Sequence, residues 1–230
     1  AEPHTATIIT GSSTVILKPD AEPRWDPRSR YLVTPLAADG TYGREADLLA
    51  SGSAREWAAG VLLADRDGNR QKSIWRRVYR VAPGADGLFF APFLAGGEQG
   101  ILWNPGLRGT ITGLTLAHDR AQIARALLEG MDFEIRRCLE VFAEETPLSS
   151  VRLAGWMAEV PQESQLLADV IGRPVQAFRL GSASAVGAAL LTGLVDRKKY
   201  LENAKAALFP PTEQKDRYNE LYTKYAALFP

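Results

Sequence analysis

The residues of this 230-residue chain that could do chemistry are few and mostly small. Gly11, Ser12 and Ser13 lie between two runs of β-branched residues in "TATIITGSSTVILKP". Backbone N–H groups and short hydroxyls at such a turn can come close to the oxygens of a phosphate. The same three residues also read as a polar hairpin tip with no ligand. "LAGWMAEV", Leu153 to Val160, raises a parallel question. A glycine between a strand and a helix lets backbone approach a ligand, yet Gly155 is followed by Trp156 and Met157, which core packing would also explain. His118 has no acid or nucleophile near it in sequence and belongs with a helix start rather than with a catalytic base. Cys138 is the only cysteine, and His4 and His118 are the only histidines. No cluster has zinc-ligand spacing, so neither an intramolecular disulfide nor a structural metal is expected.

The elements that must hold these residues alternate in type. The first segment reads as a hairpin with hydroxyls at its tip. Residues 20–45, rich in Pro, Asp, Arg and Gly, read as irregular loop around a short strand at Tyr31-Leu32-Val33. "SGSAREWAAGVLLAD" predicts a helix capped by Ser53, with Glu56 three residues on and apolar positions at Trp57, Val61 and Leu62. Arg66 to Arg70 then reads as a polar loop. Leu88 to Phe90 predicts a buried strand, followed by a glycine- and proline-punctuated stretch of the kind that often carries function. Ile123, Ala126, Leu127, Gly130, Phe133, Ile135, Cys138 and Leu139 recur at helical spacing. They predict one long, largely buried helix from His118 to Val141, capped by Asp119. "VRLAG", "PQESQLLADVIG", "PVQAFRL" and "SAVGAALLTGLV" follow as strand, helix, strand, helix, which argues for an α/β layer architecture. The tail from Lys198 is helical in composition. Its two copies of "AALFP", at 206–210 and 226–230, read as helix ends stopped by proline.

Composition excludes several function classes. At 46% hydrophobic residues the chain can close a sizeable core. Lys+Arg and Asp+Glu both count 27, so no bulk charge draws it to nucleic acid or an anionic membrane. No apolar run reaches the ~20 residues of a bilayer crossing. The start, "AEPHTATIIT", lacks the pattern of a secretory signal. The expectation is a cytoplasmic protein with neither nucleic acid nor membrane as partner.

The order of motifs resembles the C-terminal domain of the FGGY carbohydrate kinase family, which includes xylulokinase, gluconate kinase and glycerol kinase. "ITGSSTV" is similar to the family's glycine-threonine-serine hairpin, and "SGSAREW" to its glycine-serine segment before a tryptophan. The stretch from "FLAGGEQG" through "NPGLRGTITGL" to "RALLEGMDFE" is similar to the family signature. "LLADVIGRPV", "AVGAALLTG" and the closing "LFPPTEQKDRYNELYTKYAALF" match the last three elements. Each is weak alone, and six in the right order are specific.

That resemblance implies an actin-like ATPase (ribonuclease H-like) fold, a mixed sheet flanked by helices. Residues 1–230 would then be the nucleotide-binding C-terminal domain of a sugar kinase using ATP and Mg2+. The N-terminal, sugar-binding domain and the carboxylate base would lie upstream of Ala1, leaving no catalytic residue on this chain. Sugar, ATP and the N-terminal domain would be its partners, with a homodimer as a further expectation. Gly11, Ser12 and Ser13 become nucleotide-site candidates. Gly109 and Gly113 fall where relatives pass backbone beside the phosphates and ribose, although a tight turn into the long helix explains them equally. Gly155, Trp156 and Val160 fall on the adenine-facing loop, where relatives carry glycines and a polar residue. Gln99 and Ser182 also depart from the pattern, at an arginine and a glutamate, and Glu98 keeps the family acid. These departures admit a second outcome, a degenerate member with a closed nucleotide site acting as a binding or regulatory protein.

Overall fold

The structure, a computed structural model, describes residues 4–37, 40–62, 75–196, 198–200 and 204–230. The stretch 66–70, read as a polar loop, lies outside them. The order of elements is β1 (Thr5–Thr10), β2 (Thr14–Asp20), β3 (Leu32–Pro35), β4 (Tyr42–Leu48), α1 (Gly52–Val61), β5 (Phe89–Ala91), β6 (Thr110–Thr112), α2 (Arg120–Ala143), β7 (Ser150–Gly155), α3 (Trp156–Glu159), α4 (Pro161–Ile171), β8 (Val175–Phe178), α5 (Ala183–Leu191), β9 (Ala206–Phe209) and α6 (Gln214–Leu228). Seven strands form one sheet in the order β3-β4-β2-β1-β7-β8-β9, and β5 and β6 form a separate pair.

The sheet is mixed for a physical reason. The Gly11–Ser13 turn is tight enough only for an antiparallel return, so β2 pairs beside β1. β7 and β8 run parallel to β1 and to each other, because α2 and α4 supply the crossovers that parallel neighbours need. Thr10 is thereby in register with Gly155, which brings the hairpin tip beside the end of β7.

α2 carries most of the packing. Asp119 accepts from the N–H of Ala121 (2.7 Å), and the Gln122 side chain accepts from the Asp119 N–H (2.8 Å), a reciprocal cap. The C-terminal half of α2, with Ile135, Cys138, Leu139 and Phe142, packs with Leu167 and Ile171 of α4 on Ile8, Ile16, Val151 and Leu153 of the sheet. Its N-terminal half forms a second core with Ala54 and Ala58 of α1 and with Tyr218, Tyr222 and Tyr225 of α6. Tyr218 donates to buried Glu129 (2.9 Å) and accepts from Arg125 (2.6 Å), tying α6 to α2.

Three expectations are corrected. Residues 20–45 are not loop around one strand, because Tyr42–Leu48 forms β4, paired with both β2 and β3. Its charges hide the alternation, and Arg44 is buried because Asp20 (2.8 Å), Glu145 (3.0 Å) and the Phe142 carbonyl (3.2 Å) accept from it. Ser53 does not cap α1, since the helix starts at Gly52 and the Ser53 hydroxyl donates to the Ser12 carbonyl (2.9 Å). The first "AALFP" is not a helix end. Ala206–Phe209 is the edge strand β9, paired antiparallel with β8, whereas the second copy closes α6.

Candidate functional site

A cleft of about 630 Å3 opens at the carboxyl ends of β1 and β7, the edge of an open α/β sheet where ligands bind. Its walls come from four segments distant in sequence. Ile9 to Ser12 end β1 and turn the hairpin, and Gly52, Ser53, Arg55 and Glu56 form the first turns of α1. Gly155, Trp156, Glu159 and Val160 leave β7, and Gly181 to Ser184 lead into α5.

Backbone contacts hold these segments together. The Ser12 carbonyl accepts from the N–H groups of Ser51 (2.9 Å) and Ser53 (3.1 Å), and the Gly11 carbonyl accepts from Gly52 (3.1 Å). The hairpin is thus pinned to the start of α1. Gly52 has to be glycine, because a Cβ there would fall well inside 3.0 Å of the Gly11 carbonyl oxygen. Gly155 is held more strictly. Its φ of +91° and ψ of −161° are open to glycine almost alone, and a Cβ would overlap the Thr10 carbonyl oxygen. Buried Thr10 completes the joint by donating to the Ala154 carbonyl (3.1 Å) and accepting from the Met157 N–H (3.1 Å).

Trp156 shapes the cleft without filling it. The half-buried indole packs against both cores, and its Nε1 is buried without a hydrogen-bond partner among the described residues. Met157 points into the sheet-side core. Val160 lines the cleft and passes its backbone on, its carbonyl accepting from Glu163 (3.0 Å) and Ser164 (3.1 Å) at the start of α4. Ser182 caps α5 by accepting from the Ala185 N–H (3.3 Å).

Behind the cleft, Tyr79 donates to buried Glu163 (2.7 Å) and Arg55 lies 3.5 Å from the same oxygen. Burial pushes the Glu163 carboxyl up, against the lowering pull of Tyr79 and Arg55. Burial also pushes Asp132, on α2, well above the carboxylate range, and Glu163 adds to that rise. These acids lie in the core rather than on the cleft wall.

Of the candidate residues, Gly11, Ser12, Gly155, Trp156 and Val160 come together in the cleft. Ser13, Gly109 and Gly113 do not line it. The Ser13 carbonyl accepts from Gly11 (2.7 Å) and closes the turn. Gly109 and Gly113 flank β6, where Gly109 faces Leu94 and Phe90 and Gly113, at φ +80°, lies against the Gly87 carbonyl. Glu98 anchors its own loop by accepting from the N–H groups of Ile101 (2.6 Å), Leu102 (2.6 Å) and Trp103 (2.8 Å). Sequence reasoning misses Gly52, Ser53, Arg55, Glu56, Glu159, Gly181, Ala183 and Ser184 as cleft residues, and marks Ser182 only as a departure from the family pattern. "SGSAREW" carries the available signal, a Gly-Ser pair at the head of a helix.

Among the described residues no group of three or more His, Cys, Asp or Glu is placed to hold a metal, and no helix is long and apolar enough to cross a membrane. The sheet, with its cleft at the ends of parallel strands, defines an α/β domain of the open-sheet type, with the cleft where such sheets take small ligands. Residues 6–194 match the C-terminal domain of the FGGY family of carbohydrate kinases, and the chain belongs to that family. Gluconokinase of Bacillus subtilis is 31% identical over 150 residues, covering 63% of this chain and 29% of its own length. A glycerol kinase of Trichlorobacter lovleyi is 32% identical over 189 residues, covering 78% and 37% respectively. The crystal structure of xylulose kinase from Rhodospirillum rubrum superposes with a TM-score of 0.85 at 26% identity, over 100% of this chain and 47% of its own. The fold is therefore the actin-like ATPase one, and the chain spans about a third to a half of the length of these relatives.

Proposed function

We propose that this chain is the nucleotide-binding C-terminal half of an ATP-dependent sugar kinase. The complete protein would phosphorylate xylulose or a related ketose, polyol or sugar acid held by an N-terminal domain outside this chain. One observation carries the reading: the cleft is built where three backbone segments meet so closely that Gly52, against the Gly11 carbonyl, and Gly155, against the Thr10 carbonyl, leave no room for a side chain. Phosphoryl transfer depends mostly on positioning and electrostatic stabilisation, and such a junction offers a rigid backbone to a polyphosphate. The volume, about 630 Å3, lies within the range of small-molecule and cofactor sites.

The residues present fit a nucleotide. Gly11 and Ser12 would face the phosphates, and Gly155, Trp156 and Val160 the base. Mg2+ would enter with ATP as part of the substrate. When bound, ATP supplies the transferred phosphoryl group, and this chain's residues position it. The base for the sugar hydroxyl would come from the other domain.

Trp156 favours a second reading, the closed-site binding or regulatory protein, because an indole stands where relatives have glycine. The inward packing of the ring, which leaves the cleft open beside it, weighs for the kinase. Calorimetric titration of the full-length protein with Mg-ATP separates the two, binding being expected and its absence overturning the kinase reading. Sugar-dependent ADP formation across pentuloses, polyols and aldonates then tests turnover, and no activity on any of them would sink the kinase assignment.

A further inference from the structure

Arg55 is the only cation lining the cleft among the described residues, and its position is unusual. It sits at the end of the first turn of α1, where the helix dipole disfavours positive charge. That placement needs compensation. Three N–H groups at this helix start are occupied, since Ser51, Gly52 and Ser53 donate to the carbonyls of Gly11 and Ser12. The positive pole of α1 is therefore turned onto the hairpin. A polyanion in the cleft gains a charged partner on this wall only from Arg55 among the described residues.

The guanidinium is held ready for that role. Its carbon lies 4.2 Å from the Trp75 ring centroid and 5.2 Å from that of Trp156, both within cation–π range. Nε reaches Glu163 at 3.5 Å and Nη2 reaches the Tyr79 hydroxyl at 3.4 Å, both long for hydrogen bonds. Nη1 has no hydrogen bond among the described residues, and the side chain keeps 25% of its surface exposed. Glu163 does not depend on Arg55 alone, because Tyr79 donates to it at 2.7 Å. The guanidinium can turn an amino group to a ligand while its other edge stays docked.

We infer that Arg55 binds the polyphosphate of the nucleotide through Nη1, with Trp75, Trp156 and Glu163 fixing the plane of its guanidinium. This rests on the nucleotide reading of the cleft. Trp156, the departure that argued for a closed site, then acts as a support for the phosphate-binding cation.

The test is the affinity of the full-length wild type, Arg55→Gln and Arg55→Lys for Mg-ATP and, by displacement, for adenosine. Glutamine removes the charge that assists the hydrogen bond to phosphate, so Mg-ATP should bind about tenfold more weakly, and adenosine should change by less than about twofold. Lysine, which keeps the charge without the planar fork, should fall between. Arg55→Gln binding Mg-ATP like the wild type, or weakening both ligands alike as a structural lesion would, overturns the inference and leaves the kinase reading standing. Wild-type protein that binds neither ligand overturns both.

Discussion

Replacing Gly155 with alanine tests the junction on which the cleft depends. At φ +91° and ψ −161° a residue with a Cβ is strained by about 1–3 kcal/mol. The added carbon would also overlap the Thr10 carbonyl oxygen, a backbone atom of a paired strand that cannot rotate away. Relief requires β1 and β7 to part at their ends, an overpacking cost of about 1–3 kcal/mol. Together these predict a loss of roughly 2–6 kcal/mol, or a fall in Tm on the order of 10 °C for a chain of this size. Urea unfolding followed by circular dichroism measures it, with an unchanged m-value showing that the loss is one of stability. Gly187→Ala is the internal control. Gly187 lies within α5 with nothing inside 4 Å of its Cβ position, so alanine there should be neutral or stabilising by up to about 1 kcal/mol. A Gly155→Ala protein within about 1 kcal/mol of wild type would refute the close approach of β1 and β7.

Two further perturbations follow from the same structure. Burial raises Glu134 from 4.5 to about 7 and Asp47 from 3.8 to about 6, so the folded state binds more protons than the unfolded one between those limits. Stability should therefore fall as pH rises from about 4 to about 7, by roughly 3 kcal/mol from Glu134 alone. Urea midpoints across that range should show a shallower slope in Glu134→Gln, and equal slopes would contradict the assignment. Asp119→Ala removes the capping box of α2 and its contact with Arg77, and should cost about 1 kcal/mol in denaturant unfolding. No change there would mean that the cap contributes nothing in this setting.

Much of the layout is legible in the chain because it rests on local signals. The hairpin at Gly11–Ser13, the long α2 with its Asp119 cap and the alternation after residue 150 all follow from periodicity and turn chemistry. β4 is not legible, because Arg44 and Glu45 look like loop residues until Asp20 and the end of α2 arrive to satisfy the buried guanidinium. The two "AALF" copies make the limit plain. The same four residues form an edge strand beside β8 at 206–209 and enter the last turn of α6 at 226–229, so the partner decides and propensity does not.

The candidate site divides in the same way. By itself the sequence determined the family resemblance and singled out Gly11, Ser12 and Gly155, which the fold gathers at one cleft, because short motifs in a fixed order survive as words in the chain. Only the tertiary structure decided that Gly52 and Arg55 join them while Gly109 and Gly113 do not. It also decided that Trp156 packs inward, between two cores. Those outcomes depend on contacts between segments about 40 to 140 residues apart, such as Gly52 with Gly11 and Gly155 with Thr10, and no local pattern encodes such distances.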